Sequence, residues 1–140
     1  MIAYFDTSAV VPLLVAEEAT ERCERLWDEA TRVVSTRLLY PEARAALARA
    51  ERLGRLTKRQ LTKVVAELDA LVDEVDMVEL DPDLARSAGE LAQLHALRGD
   101  DAVHLAAALA VADDDVVMVT GDGDLAAAAG DAGLAVSQSS

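Results

Sequence analysis

Five short apolar runs, each divided from the next by a longer stretch of helical character, constrain this chain more than any other feature. The runs are Ile2–Phe5, Arg32–Ser35, Met77–Leu80, Val116–Thr120 and Leu134–Val136. Each is too short for a helix and nearly continuous in hydrophobicity, as expected of a strand buried on both faces. Strands that alternate with helices predict a parallel sheet covered on both sides. The fold class is therefore α/β, a three-layer α/β/α sandwich with a central five-stranded parallel sheet. No repeat and no low-complexity linker divides the 140 residues, so one domain over 1–140 is expected. Alanine supplies 28 residues and aromatics only 3%. That core suits close helix-on-sheet packing better than a β-sandwich.

The helical intervals carry start and stop signals. Ala16–Ala30 has Glu17, Glu18 and Glu21 near its start, favourable at the positive end of a helix dipole. Leu38–Leu53 closes at Gly54, with Pro41 tolerable only in the first turn. Thr57 caps Lys58–Val75. Asp81 with Pro82 opens a helix that runs to about Leu97 and ends at Gly99. Asp100 is expected to cap Asp101–Ala112, and a last helix follows Gly123. Asp113, Asp114 and Asp115 read as a solvated turn, and Ser137–Ser140 as a frayed end.

Charge is distributed very unevenly. The formal net charge is −13, yet residues 22–63 hold eleven of the thirteen basic residues and only five acids. The remainder holds two basic residues and 21 acids. A polyanionic substrate is therefore not excluded, but it must meet the basic segment, or a metal ion, before the acidic remainder. Cys23 is the only cysteine, which excludes an internal disulfide and a cysteine zinc site. It also fits a reducing, cytoplasmic setting. No uncharged run approaches about 18 residues, and no basic-then-apolar leader opens the sequence, so no membrane association is expected.

Sites in open α/β sheets form beyond the carboxyl ends of strands, where the strand order switches. Asp6, followed by Thr7 and Ser8, ends the first strand. Glu42 lies in the first turns of the helix after the second. Asp101 opens the helix before the fourth strand, and Thr120, Gly121 and Asp122 follow that strand. Four carboxylates can thus reach one sheet edge. Two like charges about 4 Å apart repel by about 4 kcal/mol at an effective dielectric near 20. No lysine occurs after Lys63, and only Arg86 and Arg98 are basic beyond it. A divalent ion is the simplest neutraliser, and all-carboxylate ligation favours Mg²⁺ or Mn²⁺ over zinc. Such an ion can activate water against phosphorus, which points to metal-assisted phosphodiester hydrolysis.

These residues also match a family in order and spacing. YFDTSAVVPLL (4–14) resembles the opening strand motif of PIN-domain nucleases, and RLLYPEARAAL (37–47) their second acidic motif. LRGDDAVHLAAAL (97–109) is similar to the third, with Asp101 followed by Ala102, and VMVTGDGDLAAAA (117–129) to the fourth. The whole chain resembles the VapC type of bacterial toxin. The resemblance implies a Mg²⁺-dependent endoribonuclease, a cognate VapB-type antitoxin and a homodimer. It also implies that Asp6, Asp101 and Asp122 hold metal, that Glu42 ligates it or positions the attacking water, and that Thr7, Ser8 and Thr120 orient the carboxylates.

Several residues admit two readings. Asp100 competes with Asp101, and Asp124 with Asp122; in each pair one acid is expected to cap a helix. His104, one turn beyond Asp101, is either a satisfied buried residue or an aid to proton transfer. His95 reads as a surface residue, and Cys23 and Trp27 as packing. Arg44, Arg49, Arg52, Arg55, Lys58, Arg59 and Lys63 are either a solvated, salt-bridged hairpin or a track for RNA phosphates, with Arg49 the best single substrate contact. A receiver or aspartyl phosphatase is disfavoured, because no lysine follows the last strands and Ser8 stands where a second acid is needed. A PIN-like module that sequesters a partner without turnover is the alternative to the enzyme.

Overall fold

The computed structural model describes residues 1–112 and 115–139. Five strands form one parallel sheet: β1 (Ile2–Phe5), β2 (Arg32–Thr36), β3 (Asp76–Val78), β4 (Val116–Thr120) and β5 (Ala135–Gln138). Their order is β3-β2-β1-β4-β5, so the chain runs outward from β1 to β3 and then returns to the other side of β1. The α/β/α sandwich expected from the alternation of runs is the observed fold. The order reverses between β1 and β4, which pair from Ile2↔Val116 to Phe5↔Val119. Asp6 and Thr120 therefore emerge side by side at the switch.

The first four helices pack on one face of the sheet and the last three on the other, as right-handed crossovers with this strand order require. On the first face lie α1 (Thr7–Leu14), α2 (Thr20–Glu29), α3 (Leu39–Arg52) and α4 (Lys58–Val72). They cover Ala3, Phe5 and Val33, with Leu39, Leu47 and Leu68 fully buried. Trp27 meets Phe5 edge-on, with ring centroids 5.4 Å apart. On the second face α5 (Pro82–His95), α6 (Gly99–Ala110) and α7 (Gly123–Asp131) cover Tyr4, Val34 and Met118. This half is rich in alanine, so α5 and α6 pack closely against each other and the sheet. Among the described residues no helix is long and apolar enough to cross a membrane.

The structure departs from the sequence expectations at five places. The segment after Asp6 is the helix α1, although Pro12 lies inside it and removes one backbone donor. Its end is secured by Thr20, whose hydroxyl donates to the Pro12 carbonyl at 2.7 Å, and α2 starts only there rather than at Ala16. Gly99 starts α6 instead of ending α5; the turn is made by Ala96 with a left-handed φ of 52°. Asp100 does not cap α6, whose N-cap is Arg98 without a side-chain bond. Ser137 and Gln138 are not frayed: they extend β5 opposite Val119 and Thr120, and the Ser139 amide donates to the Thr120 carbonyl at 2.8 Å. An edge strand needs apolar residues on only one face, so its polar end gave no strand signal. Of the acidic turn, Asp113 and Asp114 lie outside the described residues. The exposed Asp115 carboxylate is 2.9 Å from the Met1 nitrogen.

Candidate active site

Asp6 is the anchor of the site. It is only 3% exposed and serves as N-cap of α1. Its Oδ1 accepts from the Ser8 hydroxyl at 2.7 Å and the Ala9 amide at 3.2 Å, and its Oδ2 from the Thr120 hydroxyl at 2.8 Å. Ser8 in turn accepts from the Gly121 amide at 2.7 Å, which ties β4's end to α1. Burial pushes the Asp6 carboxyl above its ordinary range, against the opposing pull of Ser8, the nearby His104, Thr120 and Ala9. A buried acid held by three donors is oriented before anything binds.

Glu42 stands in the first turn of α3, where the helix dipole favours an anion. Its Oε1 accepts from Thr7 Oγ1 at 2.9 Å and from His104 Nε2 at 2.7 Å. Burial raises its pKa, but its contacts with His104, and then with Thr7 and Asp100, pull the other way, and the net shift is downward. Glu42 therefore stays ionised, and Thr7 orients Glu42 rather than Asp6.

Asp101 is half-buried in the first turn of α6. Burial and three neighbouring carboxylates, Asp100, Asp122 and Asp6, push its pKa to about 6, with Arg98 pulling the other way. Asp122 caps α7: its Oδ1 accepts from the Asp124 amide at 2.9 Å and the Leu125 amide at 3.2 Å. Its own amide donates to Thr120 Oγ1 at 3.0 Å. Capping is thus the work of Asp122, and Asp124 is exposed. Among the described residues no three His, Cys, Asp or Glu side chains converge into a ready-made ligand group. The acids share one edge and feel one another's charge, and like charges hold each other apart.

Two neighbours were undervalued by sequence reasoning. His104 is 1% exposed and bonds Glu42 directly. Asp100 influences both Glu42 and Asp101, and pairs with Arg98 at 3.3 Å. The available signal was helical spacing: Asp100 and His104 are four apart on α6 and share a face toward Glu42, while Asp101 is turned toward Asp122 and Asp6.

The basic side chains of the α3–α4 hairpin are all exposed, while its apolar face is buried. Lys63 lies 4.0 Å from Glu67, and Arg44 donates to Tyr40 Oη at 2.9 Å. Arg49, Arg52, Arg55, Lys58 and Arg59 make no ion pair among the described residues, so extensive salt bridging does not account for them. Arg49 and Arg55 rim a cavity of about 180 Å³ whose wall includes Val11, Val15, Ala46 and Leu53. Seven residues separate Arg49 from Glu42, about 10 Å along the helix axis. His95 is partly exposed in the last turn of α5; Cys23 is buried and Trp27 partly buried, as packing requires.

Fold and site together define an α/β/α domain with an acidic edge at the topological switch point. The description "PIN domain" matches residues 3–131. Two Mycobacterium tuberculosis proteins, ribonuclease VapC45 of strain CDC 1551 / Oshkosh and ribonuclease VapC49 of strain ATCC 25618 / H37Rv, are each 44% identical over 117 residues. Those residues are 84% of this chain and 81% of either relative. The fold is shared with FitAcB from Neisseria gonorrhoeae (TM-score 0.70, 17% identity, 99% of this chain and 98% of that one). It is shared also with VapC20 from Mycobacterium tuberculosis, a sarcin-ricin loop cleaving toxin (TM-score 0.67, 23% identity, 90% and 94%). This chain belongs to the PIN-domain family and is of the VapC type.

Proposed function

We propose that the protein is a metal-dependent endoribonuclease, the toxin of a toxin–antitoxin pair, and that residues 1–140 work as one cytoplasmic domain. The observation that carries this reading is the acidic edge at the switch point, where buried Asp6 is held by Ser8, Ala9 and Thr120, and where burial and the neighbouring Asp100, Asp122 and Asp6 push the Asp101 carboxyl to about 6 against the pull of Arg98. Such an excess of anionic oxygen suits a hard divalent cation, Mg²⁺ or Mn²⁺. Asp6, Asp101 and the second oxygen of Asp122 would hold it. A bound divalent ion polarises the phosphate and lowers the pKa of a bound water.

The chain's own groups do the rest. Ser8 and Thr120 fix both Asp6 oxygens, so that carboxylate is aimed rather than free to rotate. Glu42, kept ionised, positions the attacking water through its negative charge. Arg49, with the other unpaired cations of the hairpin, guides the RNA backbone to the acidic edge. The names of the two 44% identical relatives support ribonuclease action. A cognate VapB-type antitoxin and a homodimer fit the similarity in fold to toxin–antitoxin complexes such as the one from Klebsiella pneumoniae.

Incubation with total cellular RNA tests the proposal. Cleavage in Mg²⁺ or Mn²⁺ that EDTA abolishes supports the enzyme. No cleavage with any divalent ion, together with tight binding of a partner protein, supports a PIN-like module without turnover.

A further inference from the structure

A chain of polar side chains runs from the middle of the sheet to the acidic edge. It starts at Tyr4, fully buried in β1, and passes through His104, 1% exposed on α6. Tyr4 Oη lies 2.9 Å from His104 Nδ1, and the two rings meet edge-on with centroids 5.9 Å apart. His104 Nε2 lies 2.7 Å from Glu42 Oε1. The hydrogen positions follow from the chemistry of the ends. An ionised carboxylate only accepts, so Nε2 carries a hydrogen and donates it. In the neutral ring Nδ1 then offers its lone pair, and the Tyr4 O–H donates to it.

Nothing about packing requires this arrangement. The other inward positions of α6, Ala102, Leu105, Ala106 and Ala107, are apolar and fill their space without a polar partner. A buried imidazole is tolerated only when its nitrogens are satisfied, and here both are committed along one line. Thr7 Oγ1 donates to the same Glu42 oxygen at 2.9 Å. Oε1 is thus held from the protein side by two donors.

We propose that His104 is a positioning residue for the nuclease reaction: Tyr4 locks its ring with the hydrogen on Nε2, and that hydrogen pins Glu42 Oε1. The proposal rests on the ribonuclease reading for its effect on rate, but its hydrogen-bond pattern stands apart from any activity.

Three variants and one spectroscopic measurement test it. Glutamine places an amide donor near the position of Nε2, whereas leucine removes the donor at similar volume. His104→Leu is expected to lower kcat about 10–100-fold, the usual cost of losing a partner that orients a metal-site carboxylate, with KM changed less than about twofold. His104→Gln should recover most of that loss. Tyr4→Phe keeps the shape and releases the ring, with a smaller fall in kcat. In metal-free protein, ¹⁵N NMR of the His104 ring should show a protonated Nε2 and an unprotonated Nδ1, mixing with the other tautomer in Tyr4→Phe. A folded His104→Leu protein with parental kcat overturns the proposal, as does a ring that carries its hydrogen on Nδ1. If His104→Leu fails to fold, His104→Gln decides: a fall in kcat no smaller than that of Tyr4→Phe overturns the proposal. If the parent cleaves no RNA, the nuclease reading fails, and the ring spectrum alone decides the hydrogen-bond pattern.

Discussion

The acidic edge and the α3–α4 turn carry opposite charge, and they also differ in how their side chains are held. At the edge, Asp6 accepts three hydrogen bonds, and Glu42 and Asp122 two each. At the turn, Arg49, Arg52, Arg55, Lys58 and Arg59 are exposed and have no ion-pair partner among the described residues. The difference separates two tasks. Carboxylates that meet reacting atoms must be aimed beforehand, since misplacement costs rate. Long cations that meet a phosphate backbone gain from mobility, because that attraction depends on charge more than on angle. An average charge of −13 describes neither region.

The comparison is broken most directly at the anchor. Asp6→Asn is expected to reduce RNA cleavage by more than about 100-fold, beyond the 10–100-fold cost of losing an orienting partner. Circular dichroism should show the fold intact. Parental cleavage by this variant would end the assignment of the acidic edge as the active site. Ser8→Ala and Thr120→Val each remove one donor to Asp6 while keeping the acid, so a loss of about 10-fold is expected. Kinetics across a divalent-ion titration would show it.

The basic turn should respond differently. Arg49→Ala combined with Arg55→Ala should weaken RNA binding with little change in kcat. If both touch phosphates, the slope of log affinity against log salt should shrink by about 1.4, at about 0.7 per contact for a single strand. An unchanged slope would leave these arginines outside the RNA track.

The smallest effect is one of stability. The Asp101 carboxyl titrates near 6 in the folded protein, above its ordinary value of 3.8. The folded state therefore binds more protons than the unfolded state between about pH 4 and 6. The stability that this one carboxyl contributes to the metal-free protein is fully present below about pH 4 and is lost as pH rises through about 6. Asp101→Asn should flatten that decline and stabilise metal-free protein at pH 7 by about 1 kcal/mol, allowing for solvent screening of a half-exposed group. Urea midpoints in EDTA at pH 4 and 7 would check the sign. A variant less stable than the parent at pH 7 would mean that burial and the crowding of acids do not raise this carboxyl.

Much of this was legible in the chain. Val116–Thr120 was delimited by its own residues, because a central strand buried on both faces must be apolar throughout. Asp6, Glu42, Asp101 and Asp122 could be singled out as candidates because strand ends and helix starts at a switch point are where side chains can approach one another. The helix α1 was not legible: Pro12 opposes it, and the support from Thr20 comes from eight residues away. The choice between Asp100 and Asp101 depended on how α6 is rotated about its axis, which its own residues leave open. With α6 docked on the sheet, both acids face the edge, one toward Glu42 and the other toward Asp6 and Asp122.

By itself, then, the sequence determined the alternation of strands and helices, the separation of basic from acidic segments, and which acids could gather. Those depend on local periodicity and on residue identity. Only the tertiary structure decided that Tyr4 and Glu42 meet through His104, and that Thr7 serves Glu42 while Thr120 serves Asp6. Such contacts join residues up to 114 positions apart. They exist only once strand order and helix rotation have been set by burial of the whole core, which no local stretch of the chain encodes.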